Sequence, residues 1–201
     1  NVAKLINLTR PEYRALLDRL IEEQTDKEKQ QFKNMNTVEK EYIYLQVLHK
    51  KICIELNIDP DSELIEKMTQ CRMKGDFALK DGVLETLTTL FPKYSLGILS
   101  NALPSRRAHE LKIEDLESFF SHIFISHEIG LEKPNPEIYE YALKKINIPI
   151  NQILFVDDKL DYLEGAERVG FKNLVMFKNK DLSDKYPVIE DIKELLGMLA
   201  V

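Results

Sequence analysis

The sequence predicts an α/β protein built on a doubly wound parallel sheet, with an all-helical region ahead of it. Three observations predict this. Residues 153–156, ILFV, form an uninterrupted apolar run that suits a parallel strand covered on both faces. From about residue 76 onward, short apolar runs alternate with helical patterns, which implies a parallel sheet with right-handed crossovers. Residues 1–73 show helical periodicity and nothing else.

In chain order, Pro11 suits the first turn of a helix running through Tyr13, Leu16, Leu17, Leu20 and Ile21. Asn36, with Glu39 three residues on, resembles a capping box that opens a long helix over residues 37–56. Asn57 ends it, and Asp61 or Ser62 starts another helix through Leu64, Ile65 and Met68. The stripe Tyr42, Tyr44, Leu45, Leu48 is read as a helix-packing face. Near Gly75 the character changes. Residues 83–91 are predicted helical, 94–99 a buried strand ending at Ser100-Asn101, and Pro104 begins a further helix. A strand is expected at 122–126, followed by a loop and a helix from Asn135-Pro136 to about Ile146. After the strand at 153–156, Leu160, Leu163, Ala166, Glu167 and Val169 recur at helical spacing until Gly170. A strand at 173–177 and a closing helix at 187–199 complete the reading, and no internal repeat is present.

Composition narrows the function. Apolar residues make up 44% of 201, enough for a sizeable core, and the net charge of -6 with scattered Lys and Arg argues against nucleic acid. Cys53 and Cys71 lie in helical patterns and read as core residues in a reducing compartment. No apolar run approaches a membrane span and no signal peptide is visible, so the expectation is a soluble cytoplasmic protein of open oligomeric state.

The chemistry concentrates at strand ends, where open α/β sheets bind ligands. Asp157 and Asp158 follow the ILFV strand directly; two adjacent carboxylates repel unless a cation neutralises them, and hard oxygen donors suit Mg²⁺. Ser100 ends an earlier strand and offers a hydroxyl, with backbone N–H groups near a helix start behind it. Lys133, in the loop between, supplies a compact positive charge. If the ligand is a phosphate, each group has a task, with Mg²⁺ bridging the Asp pair to a phosphate oxygen. Each residue alone also has a plainer reading. Asp158 caps the next helix, Ser100 begins one, and Lys133 is a solvated loop lysine. Their order, each beside a strand end, favours the joint reading.

These stretches resemble a known family. LGILSN at 96–101, GLEKPNPEIY at 130–139 and ILFVDD at 153–158 look like motifs two, three and four of the haloacid dehalogenase-like hydrolases, and DGVLETLTTL looks like the helix before motif two. The resemblance spans about residues 78–178 and implies a Rossmann-like core at 76–201 with a small α-helical cap domain at 1–75. It implies phosphate binding by Ser100, Asn101 and Lys133, charge stabilisation by Lys133, and Mg²⁺ coordination by Asp157 and Asp158. The implied activity is Mg²⁺-dependent hydrolysis of a small phosphorylated metabolite through an aspartyl-phosphate; the Asp pair speaks against metal-free dehalogenation.

Two departures stand out. Four residues after Asp158 the family often has Asp or Asn, whereas this chain has Tyr162, with Asp161 one residue early. The motif-one pair, a nucleophilic Asp and an acid/base Asp two residues later, has no counterpart in NVAKLINLTR at 1–10. The chain begins with Asn1, and the leading expectation places motif one upstream of it, on a central strand, leaving these 201 residues inactive alone. The alternative is a catalytically inactive relative that binds a phospho-ligand or a protein. A phosphorelay receiver fits poorly, because its acidic pair would come first. The substrate is not encoded legibly; His49, Tyr42 and Arg14 are candidates for reaching a cleft.

Overall fold

The computed structural model describes residues 2–33, 35–75, 78–178 and 185–199. By its contacts the chain divides into a helical unit, residues 1–78 with 102–114, and an α/β unit, residues 79–101 with 115–201.

The helical unit contains α1 (Val2–Leu5), α2 (Arg10–Glu22), α3 (Asp26–Lys33), α4 (Val38–Glu55) and α5 (Ser62–Lys74). Leu17, Leu45, Leu48, Ile52, Cys53 and Met68 form its core. Tyr42 and Tyr44 pack against that core half-buried, so the predicted stripe is a packing face. Pro11 lies in the first turn of α2, where Thr9 and Glu12 make a reciprocal capping box that satisfies two orphan donors. The start of α4 differs from expectation. Thr37, not Asn36, is the N-cap, accepting from the Lys40 N–H at 3.2 Å, and Asn36 instead accepts from the Lys40 ammonium at 2.8 Å. With the cap at Thr37 the third helical residue is Lys40, so Glu39 is out of register for a capping box. Asn57 follows the end of α4 at φ 54°, and Asp61 caps α5 through the Leu64 N–H at 2.8 Å.

The α/β unit runs α6 (Val83–Leu90) and β1 (Gly97–Ser100), leaves for α7 (Pro104–Glu110) in the helical unit, and resumes at β2 (His122–Ile125). It continues through α8 (Ser126–Ile129), α9 (Pro136–Ile146), β3 (Leu154–Asp157), α10 (Leu160–Val169), β4 (Asn173–Phe177), β5 (Val188–Ile189) and α11 (Glu194–Met198). All pairings are parallel, as the alternating pattern requires. Among the described residues the strands form two sheets, β1-β2 and β3-β4-β5. β1 pairs Gly97 with His122 through Ser100 with Ile125; β3 pairs Leu154 with Asn173 through Asp157 with Met176. Leu99 of β1 packs into the same apolar cluster as Phe155, Tyr139, Leu163 and Phe171, so the two sheets share a core.

β1 and β3 each keep one edge without a strand partner among the described residues. The consequence is visible in burial. Residues Leu174 to Met176 of β4, flanked on both sides, are buried, whereas every residue of β3 is half-buried despite its apolar run. Two further expectations shift. Residues 94–96 are not strand, because Tyr94 closes the preceding helix with its N–H on the Leu90 carbonyl and its hydroxyl on that of Leu199. The closing helix shrinks to α11, because the Pro187 carbonyl accepts from Met176 and draws residues 188–189 into the sheet. The Glu194 carboxylate then accepts from the N–H groups of Glu190 and Asp191 at 2.8 Å each, which starts α11 late. Among the described residues no helix is long and apolar enough to cross a membrane.

Candidate functional site

Ser100 is the last residue of β1 and Asp157 the last of β3, because a β-strand's periodicity stops where the side chains turn polar. Lys133 lies in the loop between α8 and α9. That loop is held against α10 by a close approach: a Cβ at Gly165 would lie 2.7 Å from the Pro134 carbonyl oxygen and 2.7 Å from the Tyr139 hydroxyl. Tyr139 donates to the Tyr162 carbonyl at 2.7 Å, and its own phenol is pushed up by burial. The structure brings Ser100, Asn101, Lys133, Asp157 and Asp158 together on one cavity of about 440 Å³, which Lys159 and Tyr162 also line.

The adjacent carboxylates have different surroundings. Asp157 Oδ2 lies 2.6 Å from the Lys133 ammonium, each side chain only 7% exposed, and its Oδ1 accepts from the Lys159 N–H at 3.0 Å. Burial pushes the Asp157 carboxyl above the usual carboxylate range, and Lys133 beside it pulls the other way. Asp158 is exposed. Lys133 is therefore no solvated loop lysine but a buried cation whose charge is shared with Asp157.

The Asn101 amide clasps the Lys133 peptide unit. Its Oδ1 accepts from the Lys133 N–H at 2.9 Å, its Nδ2 donates to the Lys133 carbonyl at 2.8 Å, and the same Nδ2 donates to the Tyr162 hydroxyl at 3.1 Å. The side chain thus ties the end of β1 to the loop. The three candidates for reaching a cleft have partners inside the helical unit: His49 Nδ1 lies 3.0 Å from the Thr69 hydroxyl, Tyr42 bonds Glu66, and Arg14 pairs with Asp18 at 2.9 Å. Sequence reasoning noted Tyr162 only as a departure and passed over Lys159. The available signal was position, since both fall in the first turn after the Asp pair.

For a divalent cation, Asp158 and the second oxygen of Asp157 are the hard donors this cavity offers. Among the described residues no three His, Cys, Asp or Glu side chains converge as a metal-holding group. The donor set suits Mg²⁺ in kind, since that ion keeps waters and substrate oxygens among its six ligands. In number it needs further oxygens.

The sequence profile of the haloacid dehalogenase-like hydrolases matches residues 5–176. The chain belongs to this family. Among its family relatives, a glyceraldehyde 3-phosphate phosphatase of Methanopyrus kandleri is 25% identical over 159 residues, 76% of this chain and 68% of that protein. The enzyme of the same name from Pyrococcus abyssi is 36% identical over 86 residues, 42% of this chain and 36% of the relative. The chain thus spans little more than a third of the Pyrococcus relative, 36%, and about two thirds of the Methanopyrus one, 68%. A sesquiterpene phosphatase of Aspergillus oryzae is 32% identical over 96 residues, 47% of this chain and 46% of that one. Among solved structures, a 2-haloacid dehalogenase from Pseudomonas syringae aligns with a TM-score of 0.66 at 18% identity, covering 98% of this chain and 84% of that one. YfnB of Bacillus subtilis, crystallised with magnesium, aligns at 0.63 and 21% identity, covering 93% and 91%. At those identities the structures speak for the haloacid dehalogenase-like fold alone.

Proposed function

We propose that this chain is the greater part of a Mg²⁺-dependent phosphatase that hydrolyses small phosphate monoesters through an aspartyl-phosphate. In this reading the nucleophilic Asp sits on a strand supplied from outside residues 1–201, and these residues alone are inactive or nearly so. The observation that carries the proposal is the convergence of Ser100, Lys133, Asp157 and Asp158 on one cavity. The unpartnered edges of β1 and β3 support an intervening strand, because buried backbone groups without partners are costly. The phosphatase names of three relatives support the substrate class, a short phosphorylated metabolite.

In this mechanism each residue has a task. The Ser100 hydroxyl and the N–H groups after it bind phosphoryl oxygens. Asn101 acts through its side chain on the Lys133 loop, keeping the ammonium in place, so its own contribution to phosphate binding comes from the backbone. Lys133 offsets charge on the phosphoryl group as the P–O bond breaks. Asp158 and Asp157 would hold Mg²⁺, which when bound neutralises phosphate charge and orients the ester for in-line attack. The helical unit, expected from the sequence at residues 1–75 and comprising 1–78 with 102–114 by its contacts, serves as the cap that selects the substrate. A cytoplasmic setting suits the two free thiols, Cys53 and Cys71.

The test is to extend the chain with its natural upstream segment and assay p-nitrophenyl phosphate. Hydrolysis that EDTA abolishes, and that residues 1–201 alone lack, is expected. A folded extended protein without activity favours the second reading, a phospho-ligand-binding module. That reading draws on one observation: the single buried carboxylate of the cavity, Asp157, is engaged by Lys133 and is not free to act as a nucleophile.

A further inference from the structure

We infer that Tyr162 and Lys159 form an additional anion-binding arm of the cavity, donating to phosphoryl oxygens beside Ser100 and Lys133. The inference rests on the phosphatase reading above and adds to it two residues that follow the Asp pair, Tyr162 standing where the family's motif four often has Asp or Asn.

The first argument is hydrogen-bond accounting at the phenol. A tyrosine hydroxyl offers one proton and accepts through its oxygen. The Tyr162 oxygen accepts from Asn101 Nδ2 at 3.1 Å and from the Lys159 ammonium at 3.4 Å. Both neighbours are donors only at those atoms, so neither takes the phenolic proton. That proton has no acceptor among the described residues, and Tyr162 lines the cavity together with Asn101 and Lys159, the two residues around its hydroxyl. A phosphoryl oxygen is the partner such a donor fits.

The second argument is charge. Two cations line the cavity, and Lys133 is already paired with Asp157 at 2.6 Å. Lys159 makes no ion pair among the described residues, although Asp158 precedes it in sequence. Its ammonium lies over the Tyr162 ring, 4.8 Å from the centroid, and the Lys133 ammonium lies 4.7 Å from the same centroid. One aromatic ring thus steadies two ammonium groups through cation–π attraction. The arm is also fixed at its base: the Lys159 N–H bonds Asp157 Oδ1 at 3.0 Å, and the Tyr162 carbonyl accepts from Tyr139 at 2.7 Å. An anion entering here meets a preorganised hydroxyl and an ammonium that the Tyr162 side chain steadies without an ion pair, which limits the ordering cost of binding.

The test is calorimetric titration of inorganic phosphate into the 201-residue chain, in EDTA and again with Mg²⁺, beside the variants. Loss of one hydrogen bond to a charged oxygen in Tyr162→Phe, which keeps the ring, should raise Kd about 10-fold. Lys159→Gln should raise it about 5-fold and flatten its salt dependence, while Lys159→Arg restores both. Thermal melts of each variant confirm that the fold is kept. Unchanged affinity in both Tyr162→Phe and Lys159→Gln overturns the inference, as does a wild-type chain that binds no phosphate in either condition. The hydrolysis assay on the extended chain is independent of this titration: activity there with no effect of either variant removes the arm and leaves the phosphatase reading standing.

Discussion

Each unit of this protein buries a carboxylate, and the two are held in opposite ways. In the helical unit Glu41 is 1% exposed and accepts from the Ser105 N–H at 2.8 Å and the Ser105 hydroxyl at 2.6 Å. Its negative charge caps the start of α7, where the orphan N–H groups and the helix dipole favour an anion. In the α/β unit Asp157 is buried against a full positive charge, Lys133, and both line a cavity. A carboxylate satisfied by a helix start is a fixture of the fold. One held by a lysine beside an open cavity can exchange that partner for a metal ion or a substrate, which is what a working site requires.

The largest expected effect comes from breaking the cavity pair. Lys133→Met leaves the buried Asp157 charge without its cation, with only the Lys159 N–H as partner, and should cost about 3–5 kcal/mol in urea unfolding, part of it recovered at low pH as Asp157 takes a proton. A cost below about 1 kcal/mol would mean that solvent already reaches the pair. Glu41→Ala leaves buried Ser105 donors unsatisfied and should cost about 2–3 kcal/mol, measured the same way. Because Glu41 is a fixture, that loss should be accompanied by no change in phosphate affinity; a change in Kd would erase the distinction between the two carboxylates.

A third experiment probes the helical unit by pH. His49 is 1% exposed, and burial, with Arg72 nearby, holds its imidazole down to about 4. The unfolded chain binds that proton near the ordinary histidine value of about 6.5. Between those limits the unfolded state carries more protons, so stability is fully present above about pH 6.5 and is lost as pH falls toward 4. The loss approaches about 3 kcal/mol for this group. Urea midpoints across that window should fall with acid, and His49→Gln should flatten the slope. An unaltered slope would show that other groups set the acid limit. The smallest effect belongs to Asp158. It is exposed, so Asp158→Asn should leave the melting temperature unchanged in EDTA while weakening Mg²⁺ binding about 10-fold by calorimetry. Equal Mg²⁺ affinity would remove Asp158 from the metal site.

Much of this arrangement is legible in the residues themselves. ILFV followed by two aspartates marks a strand and its end; Pro11, Asp61 and Pro136 mark helix starts; and Ser100 and the Asp pair stand at strand ends, whereas Lys133 is set off from β2 by α8 and lies in the loop after it. These readings succeed because they rest on local periods and local capping. Local rules failed by one residue at the start of α4, where Thr37 and not Asn36 is the cap, and by an element at residues 187–199, where pairing with β4 outweighed helical periodicity.

The sequence by itself determined the α/β class, the alternation of strand and helix and the identity of the residues that end β1 and β3, because those depend on neighbours a few positions away. The tertiary structure alone decided what each polar group touches. Asn101 reaches Lys133 across 32 residues and Tyr162 across 61, and Lys133 reaches Asp157 across 24. No period or propensity encodes such pairings. They follow from which strands lie side by side, and they separate the buried Asp157 from the exposed Asp158, two residues the sequence presents as equals.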